Sequence, residues 1–135
     1  MIVGVGVDEV ELGRFRGVLA RTPSVRERLF TEGERGYAEA AVDPTARLAA
    51  RFAAKEAVMK ALGVGLGAFG FHECEVVRDD ATGAPSLVLH GAAAALATER
   101  GVTRWHVSLT HTDTCAAAFV IAEGLTDDRG APVHP

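Results

Sequence analysis

FAAKEAVMKALGVG, residues 52–65, decides how the rest of the chain is read. Its alanines, methionine, leucine and lysines favour helix, and Gly63 supplies a stop. At about 100° per residue from Phe52, Met59 falls at about −20°, Leu48 at about −40°, Glu56 at about +40° and Lys60 at about +80°. Glu56 therefore stands on the inward side of an amphipathic helix. A carboxylate in that position needs a partner, because burial disfavours its charged form. Lys60, one turn on, is one such partner, and a cation from outside the chain is the other.

Working outward, Asp43-Pro44-Thr45 opens this helix, which spans roughly residues 44–62, and GVGLGAFG, residues 63–70, follows as a flexible loop. Upstream, IVGVGV (2–7) alternates branched residues with glycine, the pattern of a buried strand in which Gly4 and Gly6 admit a close backbone or ligand. The strand is expected to end at Asp8, where Asp8 and Glu11 have the spacing of a capping box and Leu12, Phe15 and Leu19 begin a helix. Ser24 with Glu27, and Thr31 with Glu34, repeat that spacing and predict two short helices up to about Ala41.

Downstream, FHECEVVRD (71–79) and PSLVLHG (85–91) read as a hairpin, GAAAALATERG as a helix, and RWHVSLTH (104–111) with CAAAFVIAE (115–123) as a second hairpin. The expected fold class is α+β, with a largely antiparallel sheet packed against a long helix. Residues 1–123 form one domain, and the Asp-, Gly- and Pro-containing tail 124–135 is expected to be disordered.

The 135 residues fit a single core, and the apolar runs are too short for a membrane span. MIVGVGVDEV has no basic leader, so a cytoplasmic protein is expected. Cys74 and Cys115 lack metal-ligand spacing and are expected to be buried free thiols. A net charge of −4 and the absence of a basic, aromatic-lined groove exclude nucleic acid as the main partner.

Asp8 and Glu56 are the two acids that could hold Mg²⁺, which takes one or two carboxylates and completes its shell with water and phosphate. Asp8 also fits an ordinary helix cap. His106, Ser108 and Thr110 share one strand face, while His111 points the other way and sits at a turn, where it is available to a ligand. Arg14, Val18 and Arg21 align on one face of the first helix, a surface suited to an acidic protein.

The ordered combination of GVGVDEVEL (4–12), RFAAKEAVMKALGVG (51–65) and WHVSLTHTDTCAAAFVI (105–121) resembles the bacterial holo-acyl-carrier-protein synthases, the short type of 4′-phosphopantetheinyl transferase. The resemblance implies Mg²⁺-dependent transfer of the phosphopantetheine arm of coenzyme A to a serine of apo acyl carrier protein, with release of adenosine 3′,5′-bisphosphate. It implies metal ligation by Asp8 and Glu56, charge neutralisation by Lys60, and a coenzyme pocket shaped by Arg51, Lys55, Lys60, Gly63, Gly65 and His111. The base is Glu56 or a water whose pKa the ion lowers.

The same resemblance implies that Arg14, Val18 and Arg21 receive the acidic helix of the carrier. It further implies a homotrimer with sites between subunits, serving fatty-acid or polyketide synthesis. Glu9 departs from the pattern, since many relatives have an apolar residue there. Two other classes share these residues: a coenzyme A sensor that has lost transfer, and an interaction domain in which Asp8 only caps. Titration of coenzyme A with and without Mg²⁺ separates them, because the interaction domain gives no heat in either case.

Overall fold

The computed structural model describes residues 1–125, and most of the expected tail lies outside the described residues. The order is β1 (Ile2–Glu11), α1 (Leu12–Arg21), α2 (Val25–Leu29), α3 (Glu32–Glu39), α4 (Thr45–Leu62), a 3₁₀ turn (Phe71–Glu73), β2 (Cys74–Arg78), β3 (Pro85–Leu89), α5 (Gly91–Glu99), β4 (Arg104–His111) and β5 (Cys115–Glu123). The α+β expectation holds. The strands form two antiparallel sheets, β1-β5-β4 and β2-β3, where one sheet was expected.

The central helix begins where Asp43 Oδ1 accepts hydrogen bonds from the backbone N–H and the hydroxyl of Thr45, at 3.0 and 2.6 Å. These bonds, with Arg16 nearby, hold the Asp43 carboxyl down at about 2. At the other end Gly63 takes φ 72°, which closes the helix and leaves the N–H groups of Gly63 and Val64 bonded to the carbonyls of Lys60 and Met59. The following loop is better anchored than its glycines suggest, because Phe69 is buried in the core.

Gly4 and Gly6 permit close approach, as expected, and the neighbour is α4. A methyl group on either would land on the carbonyl oxygen of Ala61 or Ala57. Strand and helix thus meet with almost no side-chain layer between them, and Ala53, Ala57, Ala118, Val120 and Ala122 fill the remaining core. A second core lies under α1 and α2, where Phe15 packs edge-on to Phe30 and stacks on Phe52.

Two boundaries differ from the sequence reading. β1 continues past Asp8 to Glu11, because the pairing Asp8–Ala118, Glu9–Ala117 and Val10–Ala116 extends the ladder; Glu11, without a side-chain bond, is the N-cap of α1. Asp8 is consequently a strand residue and not a cap. Ser24 makes no capping bond either, whereas Thr31 and Glu34 form the expected reciprocal box. Gly124 still belongs to the folded body, exchanging backbone hydrogen bonds of 2.7 Å with Met1.

Candidate active site

The close seating of β1 on α4 sets Asp8 beside the last turns of that helix. Lys60 Nζ donates to Asp8 Oδ1 at 3.0 Å and to the Val7 carbonyl at 3.0 Å. The surface pairing of Glu56 with Lys60 does not form. Glu56 is left half-buried at the wall of a cleft, and burial first, then the charge of Asp8, raises its pKa, with Lys60 opposing. The cation that the inward acid called for is therefore not supplied in full by the described residues.

The cleft, about 630 Å³, lies at the edge strand β1 and is lined by Asp8, Glu56, Arg14, Val18, Leu29 and Phe52, among others. Among the described residues no three His, Cys, Asp or Glu side chains converge as a ready-made metal shell. Two carboxylates on one cleft, one with its proton affinity raised by burial and then by the charge of the other, nonetheless suit a hard divalent ion that keeps most of its waters. Glu9, the next residue of β1, also lines this cleft and accepts a hydrogen bond from the Cys115 thiol at 3.1 Å.

Cys115 is only half-buried, at the cleft, and its hydrogen bond to Glu9 raises its pKa. Cys74 is the buried free thiol expected from sequence, pushed up to about 12 by burial.

Lys55 departs from its expected role. Its side chain is fully buried, and its ammonium donates to Glu34 Oε1 at 2.8 Å, to the Phe71 carbonyl at 2.8 Å and to the Cys74 carbonyl at 2.6 Å. All three donors are used, so Lys55 has none left for a coenzyme. Glu34 is equally enclosed, and it also accepts from the N–H groups of Thr31 and Val76 at 2.9 and 3.0 Å. The pair ties α3, α4 and β2 together.

Arg51 and His111 are brought together at a second cavity of about 300 Å³, which they line with Tyr37, Arg47 and Arg78. Sequence reasoning missed these last three, which come from separate elements with no shared spacing. Lys60 and Gly63 line a third hollow with Arg100, whose guanidinium donates to the Leu62 carbonyl. Gly65 lies in open space. Arg14 and Arg21 are exposed on α1, while Val18 is half-buried between them.

The profile of the 4′-phosphopantetheinyl transferase superfamily matches residues 4–120. The chain belongs to that superfamily. Among transferases of this kind it is 51% identical over 123 residues to the holo-[acyl-carrier-protein] synthase of Salinispora arenicola, covering 91% of this chain and 99% of the relative. The holo-(acyl-carrier-protein) synthase of Bacillus anthracis, crystallised in complex with CoA (3′,5′-ADP), is 36% identical with a TM-score of 0.77, covering 93% of this chain and 99% of that one. The corresponding Neisseria meningitidis enzyme gives a TM-score of 0.83 at 34% identity, with coverage of 91% and 99%. These transferases share the fold described above. Among the described residues no helix is long and apolar enough to cross a membrane.

Proposed function

We propose that residues 1–123 act as a phosphopantetheinyl transferase domain that moves the 4′-phosphopantetheine arm of coenzyme A onto a serine of apo acyl carrier protein. The carrying observation is the placing of Asp8 and Glu56 at one cleft, with Lys60 bonded to Asp8 and a carboxylate pair that lacks a full counter-charge among the described residues. The serine oxygen attacks the β-phosphorus of the coenzyme, and the bond from that phosphorus to the oxygen bridging it to the α-phosphate breaks. Adenosine 3′,5′-bisphosphate leaves, and the serine proton passes to Glu56 or to a water beside it.

Asp8 and Glu56 would hold Mg²⁺, which when bound supplies positive charge to the pyrophosphate oxygens. Lys60 contributes a second positive charge, and its half-exposed ammonium can reach ligand while keeping contact with Asp8. Gly63, and Gly65 beyond it, leave the backbone next to Lys60 accessible to the coenzyme. We assign the 3′-phosphate of the coenzyme to the cavity of Arg51 and His111, where guanidinium groups gather with no acid among the described residues that line it.

The direct test is intact-protein mass spectrometry of an apo acyl carrier protein incubated with this chain, coenzyme A and Mg²⁺, beside an EDTA control. A gain of one phosphopantetheine mass that EDTA abolishes is the expected result. Coenzyme binding without any gain would favour the sensor reading.

The carrier is assigned to α1, because Arg14 and Val18 line the cleft and Arg14 and Arg21 are exposed. Arg14→Glu is expected to raise the KM for carrier protein about tenfold with the KM for coenzyme A unchanged. Equal changes in both constants would contradict docking on this face.

A homotrimer with sites between subunits is supported by two features. The outer sheet face exposes Val5, Val7 and Phe119, an apolar patch on adjoining strands. The acid-lined cleft and the arginine-lined cavity share no residue, so one chain supplies the two halves at different places. Light scattering is expected to give three times the mass of the chain, and a monomer would end this reading. A cytoplasmic setting agrees with the two free cysteines.

A further inference from the structure

The arginine-lined cavity holds more like charge than it balances. Arg47, Arg51 and Arg78 line it with His111, and among the described residues none of the three guanidiniums lies within 4.0 Å of a carboxylate. Arg51 is only 4% exposed, and its Nε is buried without a hydrogen-bond partner. Burial lowers its pKa, while Tyr37 and then Glu34 oppose that shift.

What the protein does supply is an aromatic ring. The guanidinium carbons of Arg47 and Arg51 each stand 4.3 Å from the centroid of Tyr37, and that of Arg78 stands 5.6 Å away. Arg47 also donates to the Tyr37 carbonyl at 2.8 Å, and Arg51 to the Arg47 carbonyl at 3.2 Å. A ring face attracts cations and lets two of them approach one another, yet it carries no net charge. The arrangement is thus preorganised for a multiply charged anion and incomplete without one.

We propose that Tyr37 is a positioning residue for phosphate recognition, holding Arg47 and Arg51 aimed into this cavity so that the 3′-phosphorylated coenzyme is selected over its 3′-dephospho form. The inference rests on the assignment of the 3′-phosphate to this cavity. With an aliphatic side chain at 37, the two guanidiniums lose the ring face that lets them stand together, repel one another and must be gathered again on binding. That cost falls on affinity for the phosphate and leaves the acid-lined cleft untouched.

The test is steady-state transfer to apo carrier protein with coenzyme A and 3′-dephospho-coenzyme A as alternative donors, for wild type, Tyr37→Phe and Tyr37→Leu. Wild type and Tyr37→Phe, which keeps the ring, are expected to prefer coenzyme A through KM. Tyr37→Leu should raise the KM for coenzyme A about tenfold, while kcat, the KM for 3′-dephospho-coenzyme A and the KM for carrier stay at wild-type values.

A parallel rise of KM for both donors, or a fall in kcat, would mean general loss of shape and overturn the proposal. If wild type discriminates and Tyr37→Leu discriminates equally well, the role of Tyr37 falls while the cavity assignment stands. If wild type itself does not discriminate, the cavity assignment falls and takes the proposal with it. Should Tyr37→Leu fail to give a cooperative melt, Tyr37→Met is measured against the same criteria.

Discussion

Replacing Glu56 by glutamine is expected to slow phosphopantetheine transfer about a hundredfold or more, the usual scale for losing one charge-stabilising group at a reacting phosphate. The substitution keeps size and shape, and it removes the cost of burying a charge and the repulsion from Asp8, which in that order raise the pKa of Glu56. The thermal midpoint should therefore hold or rise slightly, which separates a chemical defect from a folding one. Time-resolved mass spectrometry of the carrier, with a melting curve of the variant, gives both readings. Turnover close to wild type would remove Glu56 from the cation site.

The largest effect on stability is expected at the neighbouring position. Lys55→Met leaves Glu34 enclosed without its counter-charge, although the N–H groups of Thr31 and Val76 still reach it. Breaking a buried ion pair on one side costs about 3–5 kcal/mol, against roughly 5–15 kcal/mol for a whole domain. Urea unfolding should show the loss as a lower midpoint. The double variant Lys55→Met with Glu34→Leu should recover a large part of it, since no isolated charge remains. A single variant that unfolds at the wild-type midpoint would show that the pair is not a support.

These adjacent residues also show where sequence legibility ends. Glu56 was legible as an inward acid because its helix is long and its period unambiguous; β4 was legible to the residue because polar and apolar side chains alternate along RWHVSLTH, and β5 because its apolar run CAAAFVIAE begins at the Thr112–Thr114 turn. Lys55 was not legible as structural. Its partner Glu34 lies 21 residues upstream, and the short-range capping spacing explained that acid completely.

The end of β1 was misplaced at Asp8, where a cap was one reading, for a similar reason. A local spacing with Glu11 competed with a ladder to Ala118, a partner that only the tertiary fold supplies. The cavity of Tyr37, Arg47, Arg51, Arg78 and His111 draws on α3, α4, β2 and β4, so no window of sequence contains it. The division into two sheets likewise depends on which edges meet in space.

The backbone contact of Gly4 and Gly6 with Ala61 and Ala57 bears on how this protein could be altered. With no compliant side-chain layer between strand and helix, the separation of Asp8 and Glu56 is insulated from repacking elsewhere in the core. Drift in sequence, or a design library, can then vary Val18 and Leu29 on the cleft wall to admit a different carrier without detuning the carboxylate pair. The four small residues at the seam are the positions where even a single added methyl group would be transmitted to the chemistry.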